Sequence, residues 1–204
     1  MKLQYLNPCL IEHIADLGEL KFEKCKQAMF MPSAFYKQIN DVPVEDYYAL
    51  GYRYIFVDID NTLMPHGELK ANSEARQAVQ RFKSAGFTVY LFSNATNARL
   101  TAISRDLNVN YVEKANKPAL KPLLNFITKH NLARNTCIII GDQLITDIWT
   151  ANKAKVESVW LEPISAKELW HIRLKRGIEA LLRKKYAITT YFDWILLVKK
   201  PKMR

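Results

Sequence analysis

Tyr54-Ile55-Phe56-Val57-Asp58-Ile59-Asp60-Asn61-Thr62 is the stretch on which the fold turns. Four apolar or aromatic residues run straight into a carboxylate, and a second carboxylate follows two positions later. A short continuous apolar run closed by polar residues is the pattern of a strand covered on both faces, as in a parallel sheet. Side chains alternate along an extended chain, so Asp58 and Asp60 are expected on the same side of the strand end. Two other runs end in the same way. Thr88-Val89-Tyr90-Leu91-Phe92 leads into Ser93-Asn94, and Cys137-Ile138-Ile139-Ile140 leads into Gly141-Asp142-Gln143-Leu144-Ile145-Thr146-Asp147. Open parallel sheets bind ligands beyond the carboxyl ends of their strands, which makes these polar termini the candidate site.

Outward from these runs, short β-branched or aromatic segments alternate with longer amphipathic ones between residues 53 and 161. Strands are expected at Arg53 to Asp58, Thr88 to Ser93, near Tyr111-Val112, at Cys137 to Gly141 and at Ser158 to Leu161. Helices fall between them, and the class is α/β with a parallel sheet of about five strands. One helix is expected over Glu74 to Ala85, capped by Asn72 or Ser73, with Ala75, Val79 and Phe82 on its buried face and Gly86 as its stop. Another runs from Pro118, at a first-turn position, through Leu120, Leu123, Leu124 and Ile127. Residues 1–50 are less regular, with a helix-like patch over Leu10 to Glu19, and no chemistry is assigned to them. A basic amphipathic helix is expected from Ser165 to Lys185.

The chain has 204 residues, enough for one compact domain with modest appendages. The division expected is an extension over 1–30, a core over 31–165 and a basic helix with an aromatic tail over 166–204. Its 30 Lys and Arg outnumber 20 Asp and Glu, but residues 166–204 hold eleven basic and three acidic residues, so a net +8 of the total +10 sits in that segment. Such an end effect suits a polyanion, either anionic lipid or nucleic acid, or simply a solvated surface. No apolar run approaches the length of a membrane span, and Glu12 and Asp16 interrupt any signal-peptide core. The three cysteines form no C-x-x-C pair. A reducing, cytoplasmic setting is expected, and Cys137 reads as a core residue.

Carboxylates crowded at one sheet edge repel, by about 4 kcal/mol for a pair ~4 Å apart at an effective dielectric of ~20. A cation has to sit among them. All-oxygen ligands suit a hard divalent ion such as Mg2+, which often bridges carboxylates to phosphate. That chemistry points to phosphoryl transfer with an aspartate as nucleophile and a nearby carboxyl as acid and base, provided its environment raises its pKa. Lys117 would stabilise charge on the nucleophile and phosphoryl oxygens, Ser93 would offer a hydroxyl to phosphate, and backbone amides over Ile59 to Thr62 would form an anion-binding concavity. His13, His66, His130 and His171 are scattered and read as structural or exposed, with contact to substrate as the alternative for His66, which lies just beyond Asp58 to Thr62.

Asp58-Ile59-Asp60-Asn61-Thr62, Ser93-Asn94, Lys117 and Gly141-Asp142 with Asp147, in this order, resemble the four motifs of the haloacid dehalogenase (HAD) superfamily. The closer likeness is to the YqeG-type HAD-IIIA branch, carried by Asp58 to Leu63, Ala115-Asn116-Lys117-Pro118 and Gly141 to Asp147, and it covers roughly residues 31–190. The resemblance implies a Rossmann-like three-layer α/β/α fold without a large cap domain. It implies Asp58 as nucleophile, Asp60 as general acid and base, and Lys117 beside them. Asn61, Thr62, Ser93, Asn94 and Lys117 would hold the substrate phosphate. Mg2+ would be bound by Asp58, Asp60 (through its backbone carbonyl), Asp142 and Asp147. The chain departs from the branch at Ala95 and at Thr150-Ala151.

Asp58 and Ser93 lie 35 positions apart, and Ser93 and Lys117 24, intervals already filled by helices and a short strand. The site is therefore expected to be open to a bulky phosphorylated substrate. Relatives in the branch imply phosphatidylglycerophosphate, converted to phosphatidylglycerol by a cytoplasmic enzyme attached peripherally to the inner face of an anionic membrane. Trp170, Tyr186, Tyr191, Phe192 and Trp194 among the basic residues suit a headgroup region. The alternative is a nucleic-acid or ribosome-associated binding protein with little phosphatase activity, although no RNA-binding signature is present.

Overall fold

The computed structural model describes residues 29–165, together with Gly177, Glu179 and Leu181. Its elements follow in the order β1 (Ala34–Tyr36), α1 (Val44–Ala49), β2 (Tyr54–Val57), α2 (Ser73–Ser84), β3 (Thr88–Leu91), α3 (Asn97–Leu107) and β4 (Asn110–Tyr111). After these come α4 (Lys121–Lys129), β5 (Cys137–Gly141), a π-helical turn over Leu144–Ile148, α5 (Trp149–Ala154) and β6 (Glu157–Leu161). All strand pairs are parallel, in the order β1-β6-β5-β2-β3-β4.

The apolar strands are two-sided. Ile55 and Val57, Val89 and Leu91, and Ile138 and Ile140 face one core, which also contains Ala75, Val79 and Phe82 of α2 and Leu100 and Ile103 of α3. Phe56, Tyr90, Cys137 and Ile139 face the other, with Leu123 and Ile127 of α4 and Ala151 and Ala154 of α5. Strict alternation between two helix-covered faces makes three layers, and it explains why the strands read as unbroken hydrophobic runs. At roughly 2 kcal/mol for each fully buried large side chain, these two cores supply the main stabilisation of the sheet.

Among the described residues the sheet has six strands rather than about five. The additional one, β1, lies within residues 1–50, the part of the chain read as less regular. It has only three residues and pairs with β6 at an edge, too short to reveal a period. Helix α2 falls close to its expected position, with the Asn72 side chain accepting the Ala75 N–H at 2.9 Å. Gly86 follows it at φ 97°, where a Cβ would meet the Tyr48 ring at 2.7 Å. Helix α4 begins at Lys121, three residues later than Pro118 suggested. Pro118 follows a cis peptide bond and lies in a turn closed by Ala119 N–H to Asn116 O, while Pro122 occupies the helix's first turn.

The helix-like patch at residues 10–19 lies outside the described residues, as does most of the expected helix over 165–185; of the latter, Gly177, Glu179 and Leu181 are helical and Ser165 is not. Among the described residues no domain is inserted in the sheet connections, and no helix is long and apolar enough to cross a membrane.

Candidate active site

The carboxyl ends of β2, β3 and β5 bring the motif residues together because adjacent parallel strands stop in register. Val57 pairs with both Leu91 and Ile140. Asp58 follows Val57 directly and its N–H donates to Ile140 O at 2.9 Å, while Ser93 and Asp142 stand one residue further along their own chains. Ser93 shares a cavity with Asp58, and the Asp142 carboxylate lies within 4.8 Å of that of Asp58. The π-helical turn after β5 then carries Asp147 back over the strand end. Gly141 permits this approach, since a Cβ there would collide with the Asp147 carboxylate.

Lys117 lies at the centre. Its Nζ donates to Asp58 Oδ1 at 2.8 Å and to Asp147 Oδ1 at 2.5 Å, and all three side chains are buried. Burial alone would lower the lysine's pKa, but Asp147 and Asp58 more than reverse this, so the ammonium stays charged. Burial pushes the Asp58 carboxyl up. Lys117 pulls it back, and the Asp147 charge pushes it up again. The Lys117 backbone is fixed to the end of β3 by Asn94, whose side-chain oxygen accepts Lys117 N–H at 2.8 Å and whose amide donates to Lys117 O at 3.0 Å.

Asp58, Asp142 and Asp147 present carboxylate oxygens all within 4.8 Å of one another. Three carboxylates against one ammonium leave a formal charge of −2 in a buried, all-oxygen setting, which fits a hard divalent cation. The flanking contacts hold these carboxylates in place. Thr62 Oγ1 donates to Asp142 Oδ1 at 3.1 Å, Gln143 N–H to Asp147 Oδ2 at 3.0 Å, and Trp160 Nε1 to the Asp142 backbone carbonyl at 2.7 Å.

Asp60 is on the same side as Asp58, as alternation requires, and both line a cavity of 290 Å³ with Ser93, Asn94, Lys117 and others. Its carboxylate nevertheless stands apart from the group of three. Arg99 Nη1 holds Oδ2 at 2.7 Å, while Gly67 N–H donates to Oδ1 at 3.0 Å and His66 Nδ1 lies 3.2 Å from that oxygen. Burial raises its pKa, but Arg99, the Gly67 amide and His66 outweigh it, and the carboxyl is held below its ordinary value. The raised pKa expected for an acid and base is thus absent, because partners unseen in the sequence pattern favour the charged form. The crowd of four carboxylates becomes three plus one.

Asn61 and Thr62 are buried beneath the cavity rather than lining it. Their N–H groups donate to Met64 O and Ile59 O, so these two amides close the turn and do not form the expected anion concavity. Asn61 adopts φ 58°, which asparagine tolerates well. Cys137 is a core residue, its thiol pushed up to about 12 by burial.

His66, read as structural or exposed with substrate contact as the alternative, lines the cavity beside Asp60. Sequence reasoning missed Arg99, Thr96, Gln143 and Thr146, which also line it. Arg99 carries a usable signal: a cationic side chain in the first turn of a helix that starts just beyond a strand's carboxyl end. Glu179 was missed as well. From the 166–204 segment its buried carboxylate accepts the Ile145 N–H of the π-helical turn at 3.2 Å.

The family model described as mitochondrial PGP phosphatase matches residues 22–164. The chain belongs to the PGP phosphatase family. All four motifs fall inside the match, and membership of the HAD superfamily, read from those motifs, stands with it. Bacillus subtilis (strain 168) has a relative named probable phosphatase YqeG that is 25% identical over 165 residues, covering 81% of this chain and 96% of that one. Among solved structures, an uncharacterized protein from Listeria monocytogenes serotype 4b aligns with TM-score 0.46 and 14% identity, over 65% of this PGP phosphatase family member and 99% of its own chain. The 3-deoxy-D-manno-octulosonate 8-phosphate phosphatase of Moraxella catarrhalis, in complex with magnesium ion, phosphate ion and KDO, aligns with TM-score 0.38 and 19% identity over 50% and 63% of the two chains.

Proposed function

We propose that this phosphatase-family protein is a Mg2+-dependent phosphomonoesterase that works through a phosphorylated Asp58, with phosphatidylglycerophosphate as substrate and phosphatidylglycerol as product. The observation that carries the reading is Lys117 Nζ held between Asp58 and Asp147, with Asp142 completing a three-carboxylate group at the edge of an open cavity. Asp58, Asp142 and Asp147, with the backbone carbonyl of Asp60, would hold the metal, which supplies positive charge to offset carboxylates and phosphate together.

An oxygen of Asp58 attacks phosphorus as the ester P–O bond breaks. The departing alkoxide takes a proton from Asp60, which has first to be protonated against Arg99, the Gly67 amide and His66, all of which favour its carboxylate. A water molecule then attacks the phosphorus of phospho-Asp58 while Asp60 takes its proton, and inorganic phosphate leaves with Asp58 restored. Lys117 steers the Asp58 carboxylate and balances charge on the phosphoryl oxygens, and Ser93 Oγ, buried at the cavity wall, offers a hydroxyl to them.

Two features support the lipid ester: the description of the matching family and the lack of an inserted cap among the described residues. Residues 31–165 are the catalytic core in this reading, and the 166–204 segment, with its net +8, contacts an anionic membrane from the cytoplasmic side. Asp58→Asn is expected to lower Mg2+-dependent phosphate release by at least about 10³-fold with the fold intact. The assay is phosphate release from phosphatidylglycerophosphate in mixed micelles beside sugar, nucleotide and peptide phosphates. Undiminished turnover removes Asp58 as nucleophile, and a clear preference for a water-soluble ester removes the lipid assignment.

A further inference from the structure

Asp60 owes its orientation to few groups, and one of them connects two separate parts of the site. Arg99 sits in the first turn of α3, whose N-cap Thr96 lies just beyond β3. Its guanidinium reaches back across the cavity wall, with Nη1 2.7 Å from Asp60 Oδ2 and Nε donating to Glu68 O at 2.8 Å. The side chain is only 10% exposed. The other contacts to Asp60 come from Gly67 N–H and His66, in the very turn that Arg99 grips through Glu68. One planar fork thus fixes the carboxylate directly and the loop that supports it indirectly. Lysine, with a single point of charge, cannot reproduce both contacts at their spacing.

We propose that Arg99 is the positioning residue for Asp60, fixing its carboxylate toward the cavity so that it takes the proton from the water that attacks phospho-Asp58. This rests on the reading of Asp58 and Asp60 given under Proposed function. In that hydrolytic step the water O–H bond breaks to Asp60, the new P–O bond forms, and the bond between phosphorus and the Asp58 oxygen breaks. A carboxylate displaced by about 1 Å loses much of its advantage, on the order of 10²-fold in rate.

The two half-reactions separate this role from a purely structural one. With p-nitrophenyl phosphate the leaving phenolate departs without needing a proton, so phosphorylation of Asp58 proceeds while its hydrolysis waits on Asp60. Full-length Arg99→Gln, assayed with Mg2+ in a stopped-flow instrument, is expected to release a burst approaching one p-nitrophenol per enzyme. A steady state about 10- to 100-fold below the parent follows, with phosphoenzyme trapped by acid quench. Arg99→Lys should show the same burst with a smaller deficit. It decides the matter if the glutamine variant fails to fold, and parental kinetics in Arg99→Lys then overturn the proposal. Asp60→Asn is the control. A burst in Asp60→Asn but a uniform loss of rate, or no loss, in Arg99→Gln overturns the positioning role and leaves the proposed function standing. Undiminished turnover in Asp60→Asn overturns the proposed function itself.

Discussion

Asp58 at the carboxyl edge of the sheet and Glu157 at its amino edge are both pushed upward in pKa by burial, yet they keep different company. Asp58 faces the fixed ammonium of Lys117, itself shared with Asp147. Glu157 faces hydroxyls: Tyr52 donates to its Oε2 at 3.2 Å, and Ser33 also favours the charged form, but burial prevails and the carboxyl rises to about 7. Its Oε1 has no hydrogen-bond partner among the described residues. Desolvation alone therefore does not mark a reactive carboxylate. A fixed countercharge, a second and third carboxylate at metal-binding distance and an adjoining cavity set the carboxyl edge apart, whereas among the described residues Glu157 has no ion pair and belongs to no such carboxylate group.

The largest effect expected from this contrast follows removal of the countercharge. Lys117→Met leaves Asp58, Asp142 and Asp147 buried with no cation among them, and loss of one partner from a buried charge cluster costs about 3–5 kcal/mol. Urea unfolding at pH 7 in EDTA should show that loss. Added Mg2+ should recover part of it, since binding to the native carboxylates stabilises the fold by mass action. A loss below about 1 kcal/mol would mean that Lys117 does not organise this edge electrostatically.

The motif residues of this edge were legible because strand ends are written in sequence: an apolar run, then a carboxylate or hydroxyl. Parallel register did the rest, ending β2, β3 and β5 level so that the polar residues just beyond them meet at one edge. The strands central to the sheet were legible for the same reason, being covered on both faces. β1 was not, because three residues at an edge carry no period. The company of Asp60 was hidden for another reason. Arg99 lies 39 positions away and reaches it only by the path of α3, so no local pattern announces the pair. Pro118 misled because proline suits either a turn or a helix start, and a second proline four residues on took the helical position.

Glu157→Gln tests the amino edge, with a smaller effect that depends on pH. The folded carboxyl takes its proton near pH 7, against an ordinary value of 4.5, so between these values the folded state binds more protons than the unfolded one. Stability then falls as pH rises through this window, being fully present below about 4.5 and lost above about 7. Glutamine cannot ionise. The variant is expected to be more stable than the parent at pH 8, on the order of 2 kcal/mol, and to lose that advantage at pH 4. Parallel stability curves at the two pH values would show that Glu157 is ionised at little cost, and the two edges would then differ less than their surroundings suggest.

Tyr52→Phe gives the smallest change and separates the hydroxyl's contribution from that of burial. The Tyr52 hydroxyl donates to Glu157 and favours its charged form, so removing it should cost about 1 kcal/mol at pH 8, where that carboxyl is ionised, and less at pH 5. In a Glu157→Gln background the hydroxyl still has an amide oxygen to bond, but nothing titrates, so the difference between pH 5 and pH 8 should vanish. Thermal unfolding of the four proteins in this cycle measures it directly. A pH-dependent cost that persists with glutamine at position 157 would assign the coupling to another group near Tyr52, such as Tyr47, whose ring packs 5.6 Å away, rather than to the carboxylate.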